Sequence, residues 1–370
     1  MSRRTTLASF ALGLLSTAAA AEPVFLSRQY TRCTNCHYSP TGGGLLTPYG
    51  RSLSREELST WGRSRASGPP GREQEFLFGA LGDALRPVSL GIDLRPSHLD
   101  VAAPAFDATR DLLMNAELMA AAQRGSWTFY ASVGRQPRGD DARVASFEHW
   151  VSYKTERGLG IRAGRFLPAY GVKLADHTSF GRATLDLDND DQVYGLELSF
   201  AGDRHLVQVS AGPGEADFVD DDLRRAFTVT GRWQFDLRPR VALVTSGLFR
   251  DASGLAPARG ATGLALGFAP TSRLALWTQA DARFREGTSG GPAYTLLADT
   301  GFEAYPGVWV RFSPQLDAGF DHSDGLFRLA FGLNLLPRTH WNALLSYYVD
   351  RDRATDRSTK TLLLQLHLYL

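Results

Sequence analysis

Two cysteines and a histidine stand together as Cys33-Thr34-Asn35-Cys36-His37, and the 370 residues contain no other cysteine. This spacing suits covalent haem attachment. Each thiol adds across one haem vinyl group, the two intervening residues match the separation of the vinyls, and the histidine next to the second thioether is held under the iron. A redox dithiol does not need the histidine and usually sits in a βαβ context, absent here. A zinc site needs about four ligands, and no second cysteine pair or cluster of histidines follows. The pattern predicts one covalent haem c, anchored by Cys33 and Cys36, with His37 as the proximal ligand of the haem iron.

The sixth iron ligand is not fixed by the motif. Beyond the first residue the only methionines are Met114 and Met119, both in strand-like sequence, and no histidine occurs between His37 and His98. A second histidine from elsewhere in the chain is the expected partner. His177, on the longest irregular stretch, is the distal candidate; His98, expected on the first outer loop, is the nearest alternative in sequence, and an open iron site is the other. Closer to the motif, Gly42, Gly43 and Gly44 would let backbone approach a flat ligand, with Leu45, Leu46 and Tyr49 covering its faces. Ser54 and Glu57 read as a capping box opening a short helix, and Pro69-Pro70 as a linker signal.

Holding such a site falls to the rest of the chain. Residues 1–21 have the form of a cleaved signal peptide, with Arg3 and Arg4, an apolar run through Leu15 and small residues ending at Ala21. After it, no apolar run is long enough to cross a bilayer as a helix. Residues 22–75 read as a small α-helical cytochrome c segment, which needs the apolar surface of haem to complete its core, and residues 76–87 as a linker. A net charge of +1 and the lack of a basic run interleaved with aromatics argue against a nucleic-acid partner.

From Val88 to Leu370 the pattern has period two. Phe227, Val229, Trp233 and Phe235 alternate with Thr228, Thr230, Arg232 and Gln234; Val308, Val310, Phe312 and Leu316 with Trp309, Arg311, Ser313 and Gln315; Leu364, Leu366, Leu368 and Leu370 with Gln365 and His367. One face suits lipid and the other water. About sixteen such segments can be counted, and their connections alternate between tight ("QRGS", "TERG", "DLRP", "LPRT") and loose ("PSHLDVAAPAFDAT", "GPGEADFVDDD", "DRDRATDRS"). An even strand number with short turns at one end and long loops at the other predicts an all-β transmembrane antiparallel barrel in the outer membrane, in contact with its lipid. A barrel of that size encloses a lumen wide enough for a folded loop or plug, and the long third loop, 166–191, is expected to fold into it. The acidic run from Asp186 lacks the glycine of a calcium loop and reads as hydrated loop.

Together these features resemble the outer-membrane cytochrome-porin fusion family, in which a signal peptide, one N-terminal haem c and a porin-like barrel share a chain, as in iron-oxidising bacteria. The specific likeness lies in Cys33 to His37, Pro40, and Leu46-Thr47-Pro48-Tyr49-Gly50-Arg51. The resemblance implies outer-membrane electron transfer between a periplasmic carrier and an extracellular donor or acceptor, with ferrous iron as the family's electron source. Pro48, Tyr49 and Arg51 would then pack on the haem or bond its propionates. Two other readings stay open: a diffusion porin whose haem segment is a plug or gate, and a haem enzyme such as a peroxidase, which needs an open iron site and a distal acid–base residue.

Overall fold

The computed structural model describes residues 24–59, 61, 76–79, 87–138, 141–174, 176, 178–187, 191–214, 226–252, 257–288, 291–320 and 324–370. The signal peptide expected over 1–21 and most of the expected linker lie outside them.

Alternating sequence becomes strand over most of the described residues between 88 and 369. In chain order the strands are β1 (Val88–Ala103), β2 (Phe106–Arg124), β3 (Trp127–Arg138), β4 (Asp141–Ala145), β5 (His149–Lys154), β6 (Leu159–Phe166), β7 (Val193–Ala201), β8 (His205–Pro213), β9 (Phe227–Arg238), β10 (Val241–Arg250), β11 (Arg259–Thr271), β12 (Leu274–Arg285), β13 (Ala293–Tyr305), β14 (Val308–Ala318), β15 (Gly325–Arg338), β16 (Trp341–Asp352) and β17 (Arg357–Tyr369). Each pairs antiparallel with its neighbours, and β17 returns to β1 with Leu368 opposite Leu94 and Gln365 opposite Ser97. β4 and β5 both pair with β3 and form two halves of one stave, so the closed barrel has sixteen. Closure leaves no unpaired edge, which is what a strand-built membrane span requires.

The side chains are sorted inside out. Leu264, Leu266 and Phe268 of β11 are exposed, as are Leu362, Leu364 and Leu366 of β17, whereas Gln234, Asp281, Asp299, Ser313 and Gln315 are buried. Lipid takes the place of a core on the outer face, and the polar residues crowd the lumen. Trp127 and Tyr153, their rings 5.0 Å apart, and exposed Tyr305 and Trp341 stand at the short-turn end, where an aromatic girdle belongs.

Two expectations about the barrel change. The stretch from Pro96 to Thr109 is not a loop: β1 and β2 run on past a bulge at Arg95/Pro96 and meet in a tight turn after Ala103. Cross-strand polar pairs sustain the ladder there, His98 Nδ1 with Asp111 at 2.7 Å and Thr109 with Asp100 at 2.6 Å. Arg232 and Arg311 do face inward, yet they are not bathed in free water. Arg232 donates to the Gly171 carbonyl and to Gln234 (2.9 and 2.7 Å), while Arg311 is clamped by Asp299 and by Asp176 at 3.2 Å.

Two segments fill the lumen. The third loop folds inward as expected, with Leu167, Tyr170, Phe180 and Leu187 buried and a single-turn helix, α3, over Phe180–Ala183; here α1 denotes Val24–Ser27 and α2 Pro48–Leu53. The second is the N-terminal segment. Among its described residues it has no core of its own. Val24 and Leu58 pack on Trp309 and Leu336, Leu26 on Val172, Leu174 and Trp277, and Leu45 on Met119, Tyr130, Trp150 and Phe166. Its helices are short because wall contacts, rather than helix–helix packing, stabilise them.

The expected capping box is also displaced. Helix α2 opens earlier, at Thr47, whose hydroxyl accepts from Gly50 N at 3.0 Å with Pro48 in the first turn, and it runs into a π-helical turn over Ser54–Leu58. Ser54 has helical dihedrals and cannot cap; its hydroxyl instead meets Tyr369 at 2.8 Å. Among the described residues, no helix is long and apolar enough to cross a membrane.

Candidate functional site

Charge holds the N-terminal segment at the short-turn end. Arg28 donates to Glu303 of β13 at 2.7 Å and to the Ser272 carbonyl at 2.6 Å. Arg32 donates to Asp236 of β9 at 2.6 Å and to the carbonyls of Gly202 and Asp203 at 2.6 and 2.9 Å. Tyr38 meets Ser89 of β1 at 2.8 Å and Gln234 donates to the Thr31 carbonyl at 2.8 Å. The third loop meets the segment from the other side, where Lys173 Nζ donates to the Gly42 carbonyl at 3.0 Å. That loop is itself tied to the wall, Tyr170 to Asp281 at 2.9 Å and Phe180 N to Gln315 at 2.8 Å.

The cysteine–histidine motif is a tight turn within this plug. Cys33–Asn35 form one 3-10 turn, and the amides of Cys36 and His37 both donate to the Cys33 carbonyl at 3.1 Å. The sequence after the motif folds back on it. His37 and Leu46 form an antiparallel bridge, Thr47 N donates to the Cys36 carbonyl at 2.8 Å, and a Cβ on Gly50 would collide with that same carbonyl. Leu46, Thr47 and Gly50 therefore brace the turn. Gly42, at φ +81°, lies so close to Cys33 that a Cβ would come within 3.0 Å of its sulfur. The glycine run thus serves approach to protein atoms: Gly42 to Cys33, and Gly44 to the Tyr130 hydroxyl.

His37 borders a cavity of about 150 Å³ inside the barrel, shared with Leu45, Leu46 and Gly50 of the plug, Ile92, Asp93 and Arg95 of β1, Met119 of β2, Trp309 and Arg311 of β14, and Gln365, His367 and Tyr369 of β17. Apolar faces with a few convergent polar groups are the usual lining of a ligand site. His37 Nδ1 is buried with no hydrogen-bond partner. Burial, together with the charge of Lys173, pushes the His37 imidazole down to about 4, so it is neutral at physiological pH, the form that ligates metals. Cys33 and Cys36 are both free thiols, and burial pushes Cys36 up to about 12. Neither thiol lines the cavity, although both lie on the turn that carries His37.

The other expected residues disperse. Pro48 opens α2; Tyr49 is 51% exposed and meets the Tyr30 hydroxyl at 2.8 Å; Arg51 is buried and donates to the Leu90 carbonyl of β1. His98 lies on the carboxylates of Asp111 and Asp100, apart from the cavity lining. His177 lies outside the described residues, but both of its flanks point to the wall: Asp176 pairs with Arg311, and the Thr178 hydroxyl accepts from Arg328 at 2.8 Å. Sequence reasoning passed over Met119, Asp93 and His367 as site residues. The alternation did put His367 on the inward face, but only closure of β17 onto β1 brings it into the same cavity as His37. Among the described residues, no group of three or more His, Cys, Asp or Glu side chains is arranged to hold a metal ion.

No protein-family model and no curated protein matches the sequence. Solved structures do match the fold. OprB of Pseudomonas putida aligns with a TM-score of 0.61 at 9% identity, covering 86% of this chain and all of that one (100%). The outer membrane channel DcaP of Acinetobacter baumannii aligns at 0.59 with 10% identity, over 76% of this chain and 97% of that chain. An anion-selective porin from Comamonas acidovorans aligns at 0.57 with 11% identity, over 76% and 99%. The chain has the fold of outer-membrane porins and, with its apolar exterior, is an outer-membrane barrel.

Proposed function

We propose that this barrel is an outer-membrane electron-transfer protein carrying one covalent haem c in its plug, passing electrons between a periplasmic carrier and an extracellular donor or acceptor, with ferrous iron as the first donor to test. The observation that carries this reading is the position of the Cys33–His37 turn. It sits inside a closed lumen, in a segment that Arg28 and Arg32 ion-pair to the wall, with His37 beside a cavity, which is where a redox group would be screened from lipid. Cys33 and Cys36 would supply the thioethers and His37 the proximal nitrogen. Haem c supplies a one-electron couple of its iron.

The chain's own residues have definable tasks. Leu46, Thr47 and Gly50 hold the motif turn against α2. Arg28 and Arg32 fix the plug in the barrel, and Leu45, Ile92 and Trp309 give the cavity apolar walls. A single haem cannot span about 40 Å of membrane, so a second carrier must dock at the short-turn face, where Tyr49 is exposed.

The fold supports a second reading, a diffusion porin in which the plug acts as a gate, since the structural neighbours include an outer membrane channel and an anion-selective porin. One preparation separates the two. The full chain, expressed with c-type cytochrome maturation and purified from outer membranes, is haem-stained, titrated with ferrous iron and placed in a planar bilayer. Covalent haem that is reduced by the donor, in a barrel of negligible conductance, supports electron transfer. Steady solute conductance without covalent haem supports the porin.

A further inference from the structure

The outer wall carries an aromatic and basic cluster where β7, β8, β9 and β10 reach the short turns. His205 opens β8 directly opposite Phe235 of β9, and Val207 stands opposite Trp233, so His205, Trp233 and Phe235 share the lipid face. Their rings form a slab, His205 lying 4.7 Å from Phe235 and 6.0 Å from Trp233 with both pairs stacked. The Arg204 guanidinium covers the Phe235 ring at 4.9 Å, and its bonds to the carbonyls of Asp236 and Leu237, at 3.0 and 2.6 Å, hold it there. Arg238 pairs with Val241, which in turn pairs with exposed Phe268, so a second guanidinium falls on the same face.

The cluster offers donors that lack acceptors. An indole Nε1 only donates, so the 3.2 Å bond from Trp233 makes His205 Nδ1 the acceptor and leaves the ring hydrogen on Nε2, on the far side. His205 Nε2 and the Arg238 guanidinium have no hydrogen-bond partner among the described residues, and Nη1 of Arg204 is left over from its two turn bonds. Nearby carboxylates do not cancel the charge. Asp236 is taken by Arg32 of the plug at 2.6 Å, which leaves Asp203 against Arg204, Arg238 and Arg240. Arginine matches the oxygens of a phosphate with paired bonds, and tryptophan beside it belongs at headgroup depth.

We propose that this cluster binds the phosphate headgroup of an anionic phospholipid in the leaflet facing the periplasm, where the short turns lie, with the acyl chains along Trp233 and Phe235. The site stands whether or not the plug carries haem. It also shares a turn with the plug, since Arg32 bonds the carbonyls of Gly202 and Asp203 from within the lumen, while Arg204 is presented outside. Other short turns supply a contrast: Arg124 faces Trp127 and Arg338 faces Trp341 as single cross-strand pairs, with one guanidinium each.

The test is native mass spectrometry of the full chain in detergent, equilibrated with dimyristoyl phosphatidylglycerol or, separately, dimyristoyl phosphatidylcholine. Wild type should retain phosphatidylglycerol at concentrations where phosphatidylcholine is lost. Arg204→Gln/Arg238→Gln should lower the phosphatidylglycerol affinity about thirtyfold, and Arg238→Gln alone about fivefold. The single variant breaks no bond within the fold, so it decides the question should the double variant fail to form a heat-modifiable barrel. Arg124→Gln/Arg338→Gln should leave the affinity at the wild-type value. Equal retention of both lipids by wild type, an affinity unchanged in Arg238→Gln, or an equal loss in Arg124→Gln/Arg338→Gln would overturn the site. Displacement of the lipid by millimolar inorganic phosphate would mark a free-anion site. Binding of a polyglutamate peptide that these variants lose, with lipid affinity unchanged, would mark a surface for an acidic protein; either result overturns the lipid assignment.

Discussion

Unseating the plug should open the barrel, and the cost can be worked from its two anchoring arginines. The Arg28 and Glu303 side chains are each 4% exposed, so Arg28→Ala strands a buried carboxylate, a loss of about 3–5 kcal/mol. Arg32 and Asp236 are partly exposed, at 11% and 15%, and their charged hydrogen bond contributes about 1.5–3 kcal/mol. The two sites share no partner, so the effects should add to about 4.5–8 kcal/mol. At about 1.4 kcal/mol per factor of ten, the unseated population of Arg28→Ala/Arg32→Ala rises by at least roughly three orders of magnitude. Planar-bilayer recordings should show frequent openings in the double variant and rare ones in wild type, with matching protease cleavage of residues 24–59. The exchange Arg32→Asp with Asp236→Arg should return the trace toward wild type. A double variant that folds as a barrel yet conducts no more than wild type, with its N-terminal segment still protected, would refute the idea that these pairs hold the plug.

Cys36→Ser should abolish normal covalent haem incorporation, read by haem stain and absorbance; a full stain with an unchanged spectrum would reject the c-type assignment. Leu264→Arg, midway along the lipid-facing side of β11, should cost about 2–4 kcal/mol in urea unfolding from vesicles, against a negligible change for Leu264→Phe. Arg311→Gln should cost about 3–5 kcal/mol in the same assay, because Asp299 and Asp176 would remain buried without their cation. Burial pushes Lys173 down from its ordinary 10.5 to about 8, so between those values the unfolded chain binds more protons than the folded one and stability rises with pH. That rise should vanish in Lys173→Met, and a wild type that loses stability from pH 8 to 10 would contradict the sign.

The barrel was legible because its physics is local. A strand that faces lipid on one side and a crowded lumen on the other must alternate, and Phe227 to Phe235 and Leu364 to His367 do so. Segments counted near 88, 159, 259, 293 and 325 begin where β1, β6, β11, β13 and β15 begin. Misreadings arose where a local signal met a distant partner. The polar run after Pro96 reads as loop until Asp111 and Thr109 pair across to it, and Ser54 reads as a cap until Tyr369 claims its hydroxyl.

The functional motif divides in the same way. Cys33, Cys36 and His37 are recognisable from spacing alone, since the chemistry of attachment needs only five consecutive residues. The outer-membrane barrel follows from composition and period. Tertiary structure alone decides that the motif lies within the lumen, that Tyr49 points to Tyr30 and Arg51 to β1, and that His367, more than three hundred residues from His37, shares its cavity. A period-two pattern states which face a side chain takes. It does not state which other inward face lies beside it, and only the closed register between β17 and β1 sets that.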